Sequence, residues 1–441
     1  MPNCQGAAYI PFSPTPCRLL TLFHFLLLLG AIAGLLGLWL LYRYRQERRY
    51  RRQVYVAPAE ATWAAHAPDS AQQLRFSLAL VGDLGAVATD GHDPVLNLLQ
   101  HWLRAAGPAS GVVILGDNVY PTGIPAPNHP GRAAAERRLD IQLDAFRQYA
   151  GRVIFLSGNH DWNKGRPDGY QYLLRQEAYV LDNLPGAQYL PPKGCPGPVT
   201  VQLAEGILLV VLNTQWWVQN GPKPLGPDYG CTVSNAKEPF QQLQEILESN
   251  RHQQIVVAGH HPLYSNAMHG GKFTTKQHLF PLTAAHKKAY VPLPLLGSLF
   301  PVYRQLIGAE EDMAHPPYRK MRRRLLRVLH QFPNVIYAAG HDHNLQYFHF
   351  RQGHYLVSGS GSKTAFVQHG GKASFTHEHK GFFGLEFYRN GEVWLRTFEP
   401  NSAPADNPVA PEVFRKKLLS GFKTNVTPTA EAAPAGFGAE S

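Results

Sequence analysis

GVVILGDNVY (111–120) runs from uninterrupted apolar, β-prone residues straight into the polar turn Gly116-Asp117-Asn118. A buried strand whose carboxyl end opens into an active-site loop has this pattern. FSLALVGDLG (76–85) and RVIFLSGNHDW (152–162) repeat it, with helix-period stretches at 93–106 and 132–150 in between. Strand, polar loop and helix in succession predict βαβ units. ILLVVLNTQ (207–215), QIVVAGHHPLYS (254–265) and NVIYAAGHDHN (334–344) are again apolar runs that end in polar loops, the last two bearing histidines. QYFHF (346–350), HYLVSGSGS (354–362) and GFFGLEFYRNGEVWLRTF (381–398), with an Asn390-Gly391 turn, predict antiparallel strands and hairpins. The expected fold is α/β, layered as a βαβ sandwich of two mixed sheets flanked by helices, over residues 75–400.

Around this domain the composition changes. After an N-terminal segment (1–18), the 24 residues from Leu19 to Tyr42 are apolar apart from His24 and a few small or hydroxyl residues. That length crosses a bilayer as one helix. A cleaved signal peptide has a shorter apolar region, with its basic residues before rather than after it. Here Arg43, Arg45, Arg48, Arg49, Arg51 and Arg52 follow, as lipid-headgroup contacts would. Residues 43–74 are expected to be a basic juxtamembrane segment and an Ala/Pro-rich linker. From 401 to 441 weak order is expected, with a short helix at PEVFRKKLLSGF (411–422). Residues 268–318 lack a clear period and are expected to be a functional or mobile insertion, whose apolar pieces, such as VPLPLLGSLF (291–300), suit lipid near the anchor.

The formal charge of +11 would suit a polyanion if it covered one folded face. It is concentrated instead in the arginines beside the apolar span and in Arg319–Arg327, so nucleic acid is not an expected partner. Membrane side is left open by two opposing signals. The positive-inside rule puts residues 43 onward in the cytoplasm. Cys195 and Cys231, in loop-like segments flanking a predicted strand, could form a disulfide, which persists mainly outside it. The other cysteines are Cys4 and Cys17.

Five strand-end loops carry the chemistry: Asp83; Asp117 and Tyr120; Asn159, His160 and Asp161; His260 and His261; His341 and His343. Carboxylate and imidazole together suit iron, zinc or manganese, and this many groups can build a two-metal site with one shared carboxylate. Such a pair can clamp a phosphate ester and assist in-line displacement.

GD, GNHD, HxP and GHxH in this order, each closing a β run, resemble the calcineurin-like metallophosphoesterase superfamily over about residues 76–400. Two departures narrow the likeness. The usual DxH is Asp83-Leu84-Gly85, without its imidazole, and Tyr120 stands three residues after Asp117, where purple acid phosphatases place a phenolate on iron(III). GDNVYPTG (116–123), GNHD (158–161), AGHHPLYS (258–265) and GHDHNLQY (340–347) are similar to the small, tartrate-resistant type.

The resemblance implies that Asp83, Asp117, Tyr120 and His343 hold Fe(III), while Asp117, Asn159, His260 and His341 hold a divalent ion (Fe, Zn or Mn). His260 takes the ligand role because the family ligand lies two residues before the proline, here Pro262. The implied reaction is phosphomonoester hydrolysis by a metal-bound hydroxide, on a phosphorylated small molecule or a phosphoprotein. His160 is the first candidate general acid, oriented by Asp161, and His269 in SNAMHGG is the second. Asn118 and His261 are candidate substrate contacts, with a place behind the ligands, supporting them, as the other expectation for His261. The same core could serve a phosphodiesterase or nucleotide pyrophosphatase, and a membrane-tethered module without turnover is the reading from another class.

Overall fold

The computed structural model describes residues 16–51, 53–69, 73–89, 93–284, 286, 288–293, 296–333, 335–400 and 412–421. Most of the N-terminal segment, with Cys4, and most of the 401–441 tail lie outside them. The chain divides into two compact units, residues 1–50 with 274–298, and residues 51–273 with 299–441.

The first unit is built on one helix, Pro16–Tyr50, which continues past the expected end at Tyr42 through the arginines to Tyr50. Among the described residues it alone is long and apolar enough to cross a membrane, and its apolar window within Phe23–Tyr50 is not buried. A short helix, Thr275–Leu279, packs against its end. The backbone amide and hydroxyl of Thr275 donate to Glu47 Oε2 at 2.7 and 2.9 Å. Thr274 and Gln277 cap that short helix reciprocally, which satisfies two amides that its first turn leaves open.

The second unit is a two-sheet sandwich. Its strands are β1 (Tyr55–Val56), β2 (Leu74–Val81), β3 (Ser110–Ile114), β4 (Arg152–Phe155), β5 (Gln188–Tyr189), β6 (Val199–Ala204), β7 (Ile207–Val211), β8 (Gln254–Ala258), β9 (Ile336–Ala339), β10 (Leu345–Phe350), β11 (Gly353–Ser358), β12 (Ala373–His377), β13 (Phe382–Tyr388), β14 (Glu392–Phe398) and β15 (Phe414–Ser420). One sheet has the order β15-β14-β13-β2-β3-β4-β5, the other β1-β12-β10-β11-β9-β8-β7-β6. Strands β2 to β5 pair in parallel, as do β7, β8, β9 and β11, with antiparallel strands at the flanks. Both sheets are therefore mixed, as expected.

Side-chain alternation explains why these strands read as continuous apolar runs. Phe76, Leu78 and Leu80 of β2 point into the core between the sheets, while Ala79 and Val81 face the helical layer with Leu99 and Leu139. A strand covered on both faces has no polar side to show. Leu78 and Leu80 are completely buried, and truncating a leucine in such a place costs about 2–5 kcal/mol. The helix Pro94–Ala106 begins where Asp93 accepts the amides of Val95 and Leu96 at 3.0 and 3.2 Å, with Pro94 in its first turn.

Three expectations about the domain's edges change. Residues 53–74 are not a free linker, since β1 pairs with β12 and the Trp63 ring packs on Phe414. The basic stretch at 411–422 is no helix: β15 extends the first sheet beyond residue 400 by pairing with β14. A register shift at Val393/Trp394 lets Leu418 and Leu419 both be buried, which removes the alternation that marks a strand. The helix expected over 132–150 stops at Asp144. Part of the 268–318 insertion in this unit is ordered as the helix Leu299–Leu306, and Pro316 opens the helix Pro316–Leu329 that carries the second arginine cluster.

Candidate metal centre

The loops leaving β2, β3, β4, β8 and β9 meet at one end of the sandwich. Asp83, Asp117 and His341 all have positive φ, at 61°, 56° and 71°. That conformation is costly for residues other than glycine and persists where surroundings enforce it. The enforcement is visible here. Asp83 N–H donates to Gly116 O at 2.9 Å, and His341 N–H to Asp83 Oδ2 at 2.8 Å. Glycine is required at 158, because a Cβ there would stand 2.2 Å from Asp117 Oδ1.

Asp161 organises the first half of the site. Its carboxylate accepts from the amides of Gly158, Asp117, Asn118 and Val119 at 2.7, 3.0, 2.9 and 3.3 Å, and from Asn118 Nδ2 at 3.0 Å. Burial and the neighbouring Asp117 charge push this carboxyl up, against amide donors that favour the ionised form. The expected pairing of Asp161 with His160 is not made; Asp161 fixes the loops instead. Asn118, expected to touch substrate, is fully buried and donates inward to Leu156 O at 2.9 Å.

Two sets of ligand-type atoms result. In the first, the Tyr120 hydroxyl lies 2.8 Å from Asp83 Oδ1, 3.0 Å from Asp117 Oδ2 and 2.9 Å from His343 Nε2. His343 Nε2 is 3.4 Å from Asp83 Oδ1. Atoms bound to one ion at about 2.0–2.2 Å and at right angles sit about 3 Å apart, so the spacing fits a single centre. Burial and the charges of Asp117 and Asp83 push the Tyr120 phenol well above its usual range. Deprotonating it there requires a strong local cation.

In the second set, Asn159 Oδ1 is 3.0 Å from His260 Nε2 and 3.2 Å from His341 Nδ1, those two nitrogens are 3.2 Å apart, and Asp117 Oδ1 is 3.5 Å from His260 Nε2. His260 Nδ1 donates to Leu115 O at 2.8 Å and His341 Nε2 to Glu311 O at 3.0 Å. Each ring therefore turns its other nitrogen, as a lone pair, toward the amide oxygen and the carboxylate. Acceptors this close repel until a cation or proton sits among them, so the donor set fits a metal ion. Asp83, Asp117 and His260 alone already form a buried potential metal-binding group. Burial tends to lower the His260 pKa, but the charges of Asp117 and Asp83 raise it; burial and the neighbouring His269, His261 and His260 keep His341 well below the ordinary value. Asp117 faces both sets. Burial would raise its pKa, but the imidazoles of His260 and His160 hold the carboxyl well below the carboxylate range.

Residues 76–288 match the family model for calcineurin-like phosphoesterases. The chain carries a calcineurin-like phosphoesterase domain. Asp83, Asp117, Tyr120, Asn159 and His260 lie within the matched stretch, and His341 and His343 follow it. Solved structures similar to this chain include GAP50, "the anchor in the inner membrane complex of Plasmodium", at 15% identity and TM-score 0.48, covering 78% of this chain and 89% of that one. The purple acid phosphatase PPD1 of yellow lupin (Lupinus luteus) seeds matches at 13% identity and TM-score 0.48, covering 78% and 54%. PhoD matches at 13% identity and TM-score 0.46, covering 81% and 74%. No curated protein sequence matches significantly.

Around the centre of the phosphoesterase domain, the His160 ring stands edge-on to Tyr120 with centroids 4.4 Å apart, and its Nδ1 donates to Pro121 O. His269 lies against His341, centroids 4.3 Å apart, and its Nδ1 pairs with Asp312 Oδ1 at 3.0 Å. His261 is fully buried behind the site, held by Thr214 Oγ1 at 2.9 Å and packed on His341 and Tyr318, in the supporting rather than the substrate-facing one of its two expected places. Cys195 and Cys231 form a disulfide.

Four neighbours of the site were not anticipated. Lys363 Nζ stands 3.2 Å from the centroid of the Tyr120 ring, and burial lowers its pKa. Glu311, Asp312 and Arg304 come from the insertion, where Asp312 is buried and bridged by Arg304 Nε at 2.7 Å.

Proposed function

We propose that this protein is a membrane-anchored phosphoesterase that hydrolyses phosphomonoesters at a mixed iron(III)–divalent centre. One observation carries the reading: the Tyr120 hydroxyl converges with Asp83, Asp117 and His343 where the 83–85 turn offers no imidazole. A phenolate beside two carboxylates gathers three negative charges in a buried place, which a trivalent ion balances best. Two ions there would supply Lewis acidity to a bound phosphate ester and acidify water.

The chain's own groups do the rest. With Nδ1 tied to Pro121, His160 keeps Nε2 available, 3.8 Å from Asp117 Oδ2, to hold a proton for the leaving oxygen. His269, fixed through Nδ1 by Asp312, offers its other nitrogen on the opposite, divalent side. Lys363 adds a positive charge beside Tyr120 for the phosphate oxygens. The helix Pro16–Tyr50 is the anchor in this reading, followed by arginines for the lipid headgroups. The disulfide supports a catalytic domain outside the cytoplasm, since such bonds are rare inside it, and outweighs the arginine flank.

The test uses the full-length protein in detergent, with metal analysis, a visible spectrum, and hydrolysis of a monoester against a bis-ester. Iron with a second metal, a broad visible band and monoester turnover are expected. A colourless zinc or manganese protein, or cleavage of the diester alone, would replace the reading with a diesterase or nucleotide pyrophosphatase. Metal bound without any turnover would instead favour a tethered binding module.

A further inference from the structure

The insertion reaches into the divalent half of the centre through His269, which lies against His341, and through Glu311, which bonds two of the ligand-type residues directly. Glu311 makes two different contacts there. Its carboxylate Oε1 accepts from Asn159 Nδ2 at 2.7 Å, and its main-chain oxygen accepts from His341 Nε2 at 3.0 Å. The first contact decides which end of the Asn159 amide faces His260 and His341. With Nδ2 claimed by a carboxylate, Oδ1 must turn inward, which is the only end of an amide that can ligate a cation. The second contact decides the His341 tautomer. With Nε2–H spent on a carbonyl, Nδ1 is left with its lone pair toward the same point.

We infer that Glu311 is a positioning residue for the divalent ion, setting two of its four ligands at once from a segment outside the family-matched stretch. The inference rests on the two-ion reading above. Its neighbours hold it in place. Met313 N–H donates to His269 O at 2.9 Å, and Asp312, locked by Arg304 and by the Ala309 amide at 2.9 Å, carries His269. Residues 309–313 thus form a strap whose fixed points lie on either side of Glu311. No contact of Glu311 reaches Tyr120 or His343 among the hydrogen bonds described, so its influence belongs to one half of the centre. Supporting partners of metal ligands typically contribute about 10–100-fold in affinity.

The experiment titrates Zn2+ against a competing chelator in full-length wild type, Glu311→Ala and Glu311→Gln, with iron content and melting temperature followed in parallel. Glutamine keeps an oxygen that can accept from Asn159 and leaves the backbone carbonyl in place. Glu311→Ala is expected to bind Zn2+ about 10–100-fold more weakly while iron content stays at the wild-type level, and Glu311→Gln to recover most of the loss. Wild-type Zn2+ affinity in Glu311→Ala would overturn the inference and leave the two-ion reading standing. Equal loss in both variants would also overturn it, because charge rather than amide orientation would then be responsible. A wild type that binds no second ion would overturn both.

Discussion

The Tyr120 hydroxyl lies 2.8 Å from Asp83 Oδ1, across a gap that the sequence spans with 37 residues. The phenol donates to that carboxylate, and in the proposed reading the same oxygen would be a ligand of the iron. Tyr120→Phe removes the oxygen and keeps the ring against His160. The variant should lose the visible band and iron, retain the divalent ion, and drop in kcat/KM by more than the about 100-fold that marks a mere supporting partner. A retained band would show that another group holds iron.

Asp161 gathers main-chain and side-chain N–H groups from two loops, and no imidazole. Asp161→Ala leaves these buried donors without a partner, and unfolding in urea should show a loss of about 3–5 kcal/mol. If Asp161 served only to orient His160, stability would stay near wild type and only the pH profile of turnover would move.

His160 is tied at Nδ1 to Pro121 O, with Nε2 3.8 Å from Asp117 Oδ2. As the proton donor it should matter in proportion to how poor the leaving group is. His160→Ala should lower kcat by about 10²–10⁴-fold on an alkyl phosphate and far less on p-nitrophenyl phosphate, whose leaving oxygen needs little protonation. Equal losses on both substrates would assign His160 to binding.

Acid stability has a separate source. His354 is buried on β11, between β10 and β9, with Nδ1 3.0 Å from the Tyr347 hydroxyl. Burial, with a contribution from His349, pushes it down to about 3. The folded protein therefore keeps this ring neutral while the unfolded chain protonates it at the ordinary 6.5. Its share of stability is complete above pH 6.5 and is lost as pH falls toward 3, at no more than about 1.4 kcal/mol per pH unit. His354→Gln, which keeps an acceptor for Tyr347, should flatten the fall measured by urea unfolding between about pH 6 and about pH 4. An unchanged slope would place the acid sensitivity elsewhere.

What could be read from sequence follows from burial. Strands β2, β3, β4, β8 and β9 are apolar on both faces and end abruptly, so their position and the loops after them are legible. The seven ligand-type residues lie on those loops, within a few positions of a strand end, and their convergence follows once the strands are parallel neighbours. Glu311, Asp312 and Lys363 were illegible because nothing local marks them; they arrive from segments without a period and matter only through where the chain carries them. β15 was misread because its shifted register places Leu418 and Leu419 together beside three basic residues. Asn118 and His261, which adjoin ligand-type residues in sequence, are buried and bond inward to Leu156 O and Thr214 Oγ1, whereas His160, just as close to Asn159 in sequence, faces the site.

The ligand-type atoms divide along the chain by element. Asp83, Asp117, Tyr120 and Asn159, all oxygen donors, follow strands of the first sheet; His260, His341 and His343, all nitrogen donors, follow strands of the second. A nascent chain that has reached residue 204 already holds every oxygen and none of these nitrogens. Oxygen donors alone suit hard cations. On the two-ion reading, a borderline divalent ion gains its nitrogen ligands only when β8 and β9 dock, so the compartment where the domain finishes assembling would also be the one whose metal supply it samples.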